Sequence, residues 1–95
     1  MAYDELFFRF HAIERMLEYD FLDVEVRQVL EHDEVIERAI DQFGMPTALY
    51  LGFIGKRPLH VATVDDHDAR RSEIVTLYEP TLDRWHPGFR TRKRL

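Results

Sequence analysis

Three runs of β-branched and aromatic residues constrain the fold of this chain more than any other feature of its sequence. The runs span residues 47–54, 59–64 and 73–78. Such side chains pack well on the pleated surface of a sheet, and the polar residues 55–58 and 65–71 are typical of the turns between strands. Pro80 ends the third run, because proline lacks the N–H that a central strand needs. The pattern predicts an antiparallel meander.

The residues before the meander have the periodicity of a helix. Phe10, Ile13 and Leu17 recur at the spacing of one helix face, whereas Glu14 and Glu18 are expected to face away. A helix is therefore predicted over residues 4–18, with its first residue as the N-cap. Asp20 follows at a position where a residue in the left-handed conformation can end the helix.

A second helix is predicted over residues 23–32, with Asp23 as its N-cap and two valines and a leucine as its apolar stripe. The short connection indicates that the two helices form an antiparallel pair. Residues 34–39 are typical of one further strand. The order α-α-β-β-β-β predicts an α+β domain with two N-terminal helices packed on an antiparallel sheet of about four strands.

Length and composition bound what this chain can be. Its 95 residues, 45% of them apolar and 13% aromatic, predict one ordered domain over residues 1–95. The absence of cysteine excludes disulfides, thiolate metal sites and a cysteine nucleophile. No apolar stretch approaches the ~20 residues that span a bilayer, and the first residues are acidic where a secretion signal is basic. We therefore expect a cytoplasmic protein that does not enter the membrane.

The net charge of −5 conceals a division between the two halves of the chain. Residues 1–45 contain 12 acidic and 4 basic residues, whereas residues 46–95 contain 6 acidic and 9 basic residues. The segment 84–95 is basic and has no acidic residue. A protein that is acidic overall can still present one cationic surface to an anion. The alternative is that this segment is a solubilising, frayed end.

His60 is the central candidate for chemistry. Strand alternation places it on the face opposite Leu59 and Val61, and Tyr78 of the third run shares its face in one of two registers. Cleavage of RNA without a metal needs a base, an acid and cations for the phosphate, and histidine can perform either proton transfer near neutral pH. The alternative is a hydrogen-bonded structural histidine in a half-buried strand.

Two further features lie outside that strand. His11 and Arg15 are four residues apart on one face of the first helix. They form either a phosphate clamp or a local arrangement in which Arg15 pairs with Glu18 and His11 packs near the sheet or a helix end. Trp85 is expected to be a packing anchor that holds the basic segment on the domain. The five histidines lack the spacing of metal ligands, so neither a metal nor a cofactor is expected.

Six short motifs occur in order along the chain: HAIERM (11–16), EVIE (34–37), GKRPLHV (55–61), VTLYEP (75–80), DRW (83–85) and FRTRK (89–93). Together they resemble one small bacterial family, labelled domain of unknown function 4258. That family is similar to the RelE/ParE toxin superfamily, which includes the MqsR-type mRNA interferases. The resemblance implies helices packed on a curved antiparallel sheet.

The resemblance also implies a function: the toxin-like component of a type II toxin–antitoxin system that cuts mRNA, on the ribosome in many such toxins. The expected partner is an antitoxin of the zinc-finger YgiT/MqsA kind or of the helix-turn-helix kind. The alternatives are a non-catalytic protein-interaction module of the same fold and a ParE-like inhibitor of DNA gyrase.

The predicted site draws residues from several parts of the chain. The catalytic candidates are His60, Tyr78 and Arg90. The RNA-binding candidates are Lys56, Arg57, Arg84, Arg92 and Lys93, and the secondary candidates are His11 and Arg15. Arginine is suited to phosphate because its planar fork is always charged and binds two oxygens at once. We expect these side chains to converge on one solvated concave surface.

Overall fold

The structure is a computed structural model that describes residues 5–32 and 34–94, and these contain five strands and two helices. The elements are β1 (Glu5–Phe8), α1 (Phe10–Tyr19), α2 (Asp23–His32), β2 (Glu34–Ile40), β3 (Pro46–Ile54), β4 (Arg57–Asp66) and β5 (Arg71–Tyr78). The strands form one sheet in the order β1-β5-β4-β3-β2, in which β1 is parallel to β5 and the other pairs are antiparallel. The α+β class is confirmed. The prediction of two N-terminal helices on a purely antiparallel four-stranded sheet is wrong.

The additional strand lies where the first helix was predicted to begin. Residues Glu5–Phe8 pair in parallel with the first half of β5, and the Arg9 N–H donates to the Ile74 carbonyl at 3.0 Å. Arg9 is extended, with φ −69° and ψ 155°, so α1 begins only at Phe10. The pattern of these residues is compatible with a helix. Their backbone groups instead form hydrogen bonds with the open edge of β5. The predicted N-cap, residue 4, lies outside the described residues.

Helix α1 packs on the sheet with a face different from the one its periodicity indicates. Ala12 is fully buried, whereas the predicted stripe of Phe10, Ile13 and Leu17 is 76%, 44% and 81% exposed. The small side chain at position 12 lets the helix lie close along β5. The expectation that the apolar stripe covers the core is therefore wrong.

Helix α2 follows its predicted bounds and packs on β3 and β4, so the two helices rest mainly on the sheet rather than on each other. Asp20 ends α1 in the left-handed conformation, as predicted, with φ 61°. The N-cap position of α2 is held by Leu22, whose N–H donates to the Glu25 carboxylate at 2.8 Å. Asp23 instead pairs with Arg27 one turn later, so its prediction as the cap is wrong.

The two faces of the sheet have different coverings. The main core lies between the helices and the sheet, and Leu59, Val61 and Leu77 are its fully buried strand residues. His60 and Tyr78 are direct cross-strand partners on the opposite face, which settles the register that the sequence leaves open. The predicted alternation along β4 is confirmed.

A β-bulge in β2 brings two glutamates to the same face as His60. Glu34 pairs with Leu51 and Glu37 with Leu49, because Ile36 is the extra residue of the bulge. Regular alternation would have placed Glu34 and Glu37 on opposite faces. Both carboxylates therefore face the C-terminal part of the chain.

Residues 84–93, called here the C-terminal loop, close over the face of the sheet that the helices leave free. Trp85 and Arg92 form an isolated bridge, and the Lys93 N–H donates to the Arg84 carbonyl at 2.9 Å. Trp85 is 3% exposed, which confirms its prediction as a packing anchor. The interpretation of this segment as a frayed end is therefore wrong.

Neither α1 nor α2 has the length or the apolar character of a membrane-crossing helix, and these are the helices of the described residues.

Candidate functional site

The imidazole of His60 is enclosed by protein on all sides. Its Nε2 lies 2.8 Å from the Phe89 carbonyl oxygen, and its Nδ1 lies 3.2 Å from the Tyr78 hydroxyl. The Trp85 ring stands edge-on at a centroid distance of 4.3 Å, and His60 is 0% exposed. The expectation that this imidazole lies on a solvated concave surface is wrong. It lies on the face away from the helices, under the C-terminal loop.

The hydrogen bonds of His60 assign its tautomer. A carbonyl oxygen only accepts, so Nε2 carries the hydrogen and donates to Phe89, while Nδ1 accepts from the Tyr78 hydroxyl. Burial lowers the pKa of His60 below its ordinary value of 6.5, and the charge of Arg92 lowers it further. The Phe89 carbonyl acts in the opposite direction without reversing the shift. His60 is therefore neutral at pH 7.

A tight turn positions the Phe89 carbonyl that accepts the hydrogen bond from His60. The Phe89 N–H donates to the His86 carbonyl at 2.9 Å, and the turn contains Gly88 at φ 90° and Phe89 at φ 61°. The left-handed conformation is unfavourable for phenylalanine, which has a Cβ, and the bond from His60 helps to hold it. The imidazole thus fixes the tip of the C-terminal loop.

The lowered pKa of His60 predicts that acid destabilises the fold. The unfolded chain takes up a proton at this residue near pH 6.5, but the folded chain takes it up only at lower pH. Acidification below about 6.5 should therefore favour unfolding by up to about 1.4 kcal/mol per pH unit from this residue. Urea unfolding at pH 7.5 and 5.5, with NMR titration of the ring protons, checks this. A His60 midpoint at or above 6.5 would contradict it.

Tyr78 links the buried histidine to solvent. Burial raises the pKa of its hydroxyl above the ordinary value of 10.0, so the hydroxyl stays protonated. It donates a hydrogen bond to Nδ1 of His60. The same side chain borders an open groove of about 520 Å³ between α1, the end of β5 and the C-terminal loop. Strand β1 covers only residues 71–74 of β5, which leaves the edge of residues 75–78 open beside this groove.

The groove brings together six of the predicted site residues. They are His11, Arg15, Tyr78, Arg84, Arg92 and Lys93. Their positions in the sequence span more than eighty residues, and the packing of α1 along the far half of β5 makes them neighbours. Tyr19, Thr76, Glu79, Pro80, Thr81 and Trp85 complete the lining.

The cations of the groove differ in how far they are neutralised. Arg92 binds Glu37 with both arms of its fork, at 2.7 and 3.0 Å, and lies over the Trp85 ring. Arg15 pairs with Glu18, as one of the two sequence interpretations predicts. Within residues 5–32 and 34–94, Arg84 and Lys93 form no ion pair.

The carboxylate of Asp83 interacts electrostatically with these two cations. It accepts a hydrogen bond from the Thr81 hydroxyl, which lowers its pKa, and the charges of Arg84 and Lys93 lower it further. Asp83 is not part of the groove lining. The groove therefore keeps positive charge available for an anion.

Three predicted cations are not part of the groove lining. Arg90 binds Glu34, with Nε 2.7 Å from the carboxylate. Arg57 binds Glu79 at 2.8 Å, and its fork also donates to the Tyr19 carbonyl. Lys56 is exposed in the turn between β3 and β4. The prediction that all cations and His60 share one surface is therefore wrong.

Sequence reasoning missed residues for two different reasons. Tyr19 extends the row of His11 and Arg15, since these residues are four apart on one helix, and that spacing was available as a signal. The role of Glu34 and Glu37 as partners for arginines had no such signal, because it depends on the bulge in β2.

A second cavity of about 330 Å³ lies on the other side of Tyr78 and Arg92, over the middle of the sheet. Leu49, Ala62 and Val75 form part of its lining. For the described part of the chain, no group of three or more histidine, aspartate or glutamate side chains could hold a metal ion.

Comparison with known proteins gives one match. A family model described as Domain of unknown function (DUF4258) matches residues 8–79. No curated protein and no solved structure matches the chain significantly. The matched region includes His11, Arg15, His60 and Tyr78, whereas the C-terminal loop follows it.

Proposed function

The chain belongs to the Domain of unknown function (DUF4258) family, and from that premise we propose that it is the toxin-like component of a type II toxin–antitoxin system. We propose that it acts in the cytoplasm as a metal-independent endoribonuclease on mRNA. The proposal is supported by the similarity of this family to the RelE/ParE toxin superfamily and the MqsR-type mRNA interferases, which the resemblance of the ordered motifs implies. The observation that carries it is the groove that combines an accessible histidine, a tyrosine and unpaired cations.

The groove has the chemistry that a phosphodiester requires. Among the described side chains Arg84 and Lys93 form no ion pair, although their charges act on the Asp83 carboxylate, and Arg15 enters from the opposite wall. Cations of both types bind phosphate, arginine through two donors and lysine as a point charge. A volume of about 520 Å³ lies within the usual range of ligand pockets.

His11 is the histidine that can reach a substrate. Its side chain is 53% exposed and lies 3.9 Å from Glu14. In the proposed reaction it takes the proton of the ribose 2′-hydroxyl, the 2′-oxygen forms a bond to phosphorus, and the bond from phosphorus to the 5′-oxygen breaks. Water gives a proton to the leaving 5′-oxygen, and His11 returns the proton it took to the solvent, so both groups are regenerated. Tyr78 keeps its proton in the hydrogen bond to His60, and its ring is available to stack on a base. The products are a 2′,3′-cyclic phosphate and a 5′-hydroxyl.

His60 acts in this proposal as a positioning residue. It has no path to a substrate, because both ring nitrogens are bonded within the protein and the ring is fully buried. It holds the Tyr78 hydroxyl at the groove wall and the C-terminal loop in its closed position. Arg90 and Arg57 act structurally, through their bonds to Glu34 and Glu79.

A second candidate function is a non-catalytic protein-interaction module of the same fold. The observation that favours it is that Arg57, Arg90 and Arg92 are already neutralised by glutamates. Induced expression followed by mapping of mRNA 5′ ends separates the two functions, since the module leaves mRNA intact. In either case we propose an antitoxin-like protein as the partner.

Replacing both unpaired groove cations, Arg84→Ala with Lys93→Ala, is expected to weaken binding of a labelled single-stranded RNA. The slope of log affinity against log salt should fall by about 1.4, since each phosphate contact on a single strand contributes about 0.7. Fluorescence anisotropy in EDTA over a range of salt concentrations checks this, with cleavage followed on gels.

The matched control is Arg38→Ala, which removes an exposed arginine that does not line the groove. This variant should bind RNA like the wild type. An equal loss of slope in the control, or none in the double variant, would show that the groove is not the RNA site.

A further inference from the structure

Helix α1 presents an apolar stripe that nothing in the described structure covers. The stripe consists of Phe10, Ile13 and Leu17, which are 76%, 44% and 81% exposed. Isolated exposed apolar side chains are ordinary on protein surfaces, but three on one face of one helix form a patch. The opposite side of the same helix, marked by the fully buried Ala12, packs on the sheet.

We propose that this α1 stripe is the docking surface for a basic amphipathic helix of a separate protein. Anchors at positions i, i+3 and i+7 are the pattern by which a helix presents an apolar face to a helical partner. The proposal names the surface at which a partner binds, and it does not depend on RNA cleavage.

The charges beside the stripe determine the chemistry of the partner. Glu14 and Glu18 each follow a stripe residue by one position, so they adjoin the stripe along one side rather than facing away from it as expected from the sequence. Their side chains are 57% and 54% exposed, and Glu18 also pairs with Arg15. The first 45 residues contain 12 acidic and 4 basic residues. Lysine or arginine side chains flanking the apolar face of a partner helix would meet these carboxylates, which favours the correct pairing over others.

The same charges disfavour a second copy of this chain as the occupant. Two-fold pairing brings the same patch of both subunits together. Glu14 and Glu18 of one copy would then lie near the same glutamates of the other, and like charges repel. An anionic membrane surface is disfavoured for the same reason.

The stripe and the groove occupy different faces of α1. His11 and Arg15 line the groove, whereas the stripe lies on the far side of Glu14 and Glu18 around the helix. A partner helix on the stripe therefore leaves the groove lining in place. Binding at the two sites can be measured separately.

The probe for the experiment is a fluorescein-labelled synthetic helix of about 18 residues, or five turns, with leucine on one face and lysine on the other. Anisotropy titration with the full chain gives its Kd. The double variant Phe10→Ser with Leu17→Ser is expected to bind about tenfold or more weakly, since buried apolar anchors carry most of the energy of such an interface. Both residues are exposed, and circular dichroism verifies the fold.

The matched control is Ile40→Ser with Leu82→Ser, which removes two apolar side chains that are 66% and 54% exposed elsewhere. This variant should bind the peptide like the wild type. A peptide of leucine and glutamate should not bind. Equal affinity of the stripe and control variants, or equal binding of the acidic peptide, overturns the proposal.

Two other results would assign the stripe to another occupant and overturn the proposal. One is a wild-type dimer in sedimentation analysis that the stripe variant converts to monomer. The other is binding to anionic phospholipid vesicles that the stripe variant loses. RNA cleavage should be unchanged in the stripe variant. Absence of cleavage by the wild type, with the peptide results intact, would reject only the proposed catalytic function.

Discussion

Replacing His60 by alanine is expected to lower the free energy of unfolding by about 3 kcal/mol. The substitution leaves a cavity between Trp85 and Tyr78, removes the donor to the Phe89 carbonyl and leaves the Tyr78 hydroxyl without its acceptor. Unsatisfied buried groups and a cavity both destabilise, and here they occur at one position. Urea unfolding at pH 7.5, followed by tryptophan fluorescence, reports directly on the environment of Trp85.

The matched control for this prediction is His32→Ala, since the side chain of His32 is 72% exposed at the end of α2. Its effect should lie within about 0.5 kcal/mol of the wild type, as is usual for surface positions. If His60→Ala proves as stable as the control, the C-terminal loop is held by other contacts and the positioning role of His60 is refuted.

Replacing His11 by alanine is expected to reduce the rate of RNA cleavage by about 100-fold or more, the usual contribution of a general base. RNA binding should change little, because Arg84 and Lys93 remain in the groove. A single-turnover assay with a labelled RNA in EDTA measures the rate, and anisotropy on the same preparation measures the binding. The two readouts separate proton transfer from affinity.

The His32→Ala variant is also the control for this measurement, since it removes a histidine that does not line the groove. It should cleave at the wild-type rate. If His11→Ala cleaves as fast as this control, His11 has no part in the reaction. The nuclease proposal would then lack an accessible base.

Most strands and one helix are predictable from this sequence because they are determined locally. The β-branched runs mark β3, β4 and β5, and the observed bounds extend beyond the predicted ones by up to two residues at each end. Helix α2 has the predicted bounds, because its apolar periodicity and the residues at its two ends indicate the same segment. Asp65 departs from the predicted solvated turn: it is 3% exposed and accepts a bond from Ser72 at 2.7 Å.

Strand β1 and the orientation of α1 depend on tertiary structure and could not be predicted in this way. The run Glu5–Phe8 continues a helical pattern, and only the open edge of β5 makes it a strand. Periodicity shows that α1 has an apolar face but not whether that face meets this chain or another. The prediction assumed that apolar side chains of a helix are buried by the same chain, and this is wrong for Phe10 and Leu17, which are exposed.

The site was predictable in its residue types and not in its geometry. The sequence offered His60 and Tyr78 as a pair, and they are direct partners, but burial of the ring depends on Trp85 folding back across the sheet. The sequence marks the cations of the C-terminal loop as a group. Arg92 is neutralised whereas Arg84 and Lys93 are not, because the bulge in β2 turns Glu37 toward Arg92.

The C-terminal loop supplies both the lid over His60 and three of the groove cations, Arg84, Arg92 and Lys93, so docking of the loop and binding of the proposed anion would be thermodynamically linked. An anion at about 100 times its Kd would stabilise the docked form by about 2.7 kcal/mol through mass action. A substitution that loosens the lid would raise the apparent Kd without touching the bound molecule. The affinity for the proposed anion would therefore depend partly on how well the C-terminal loop is folded.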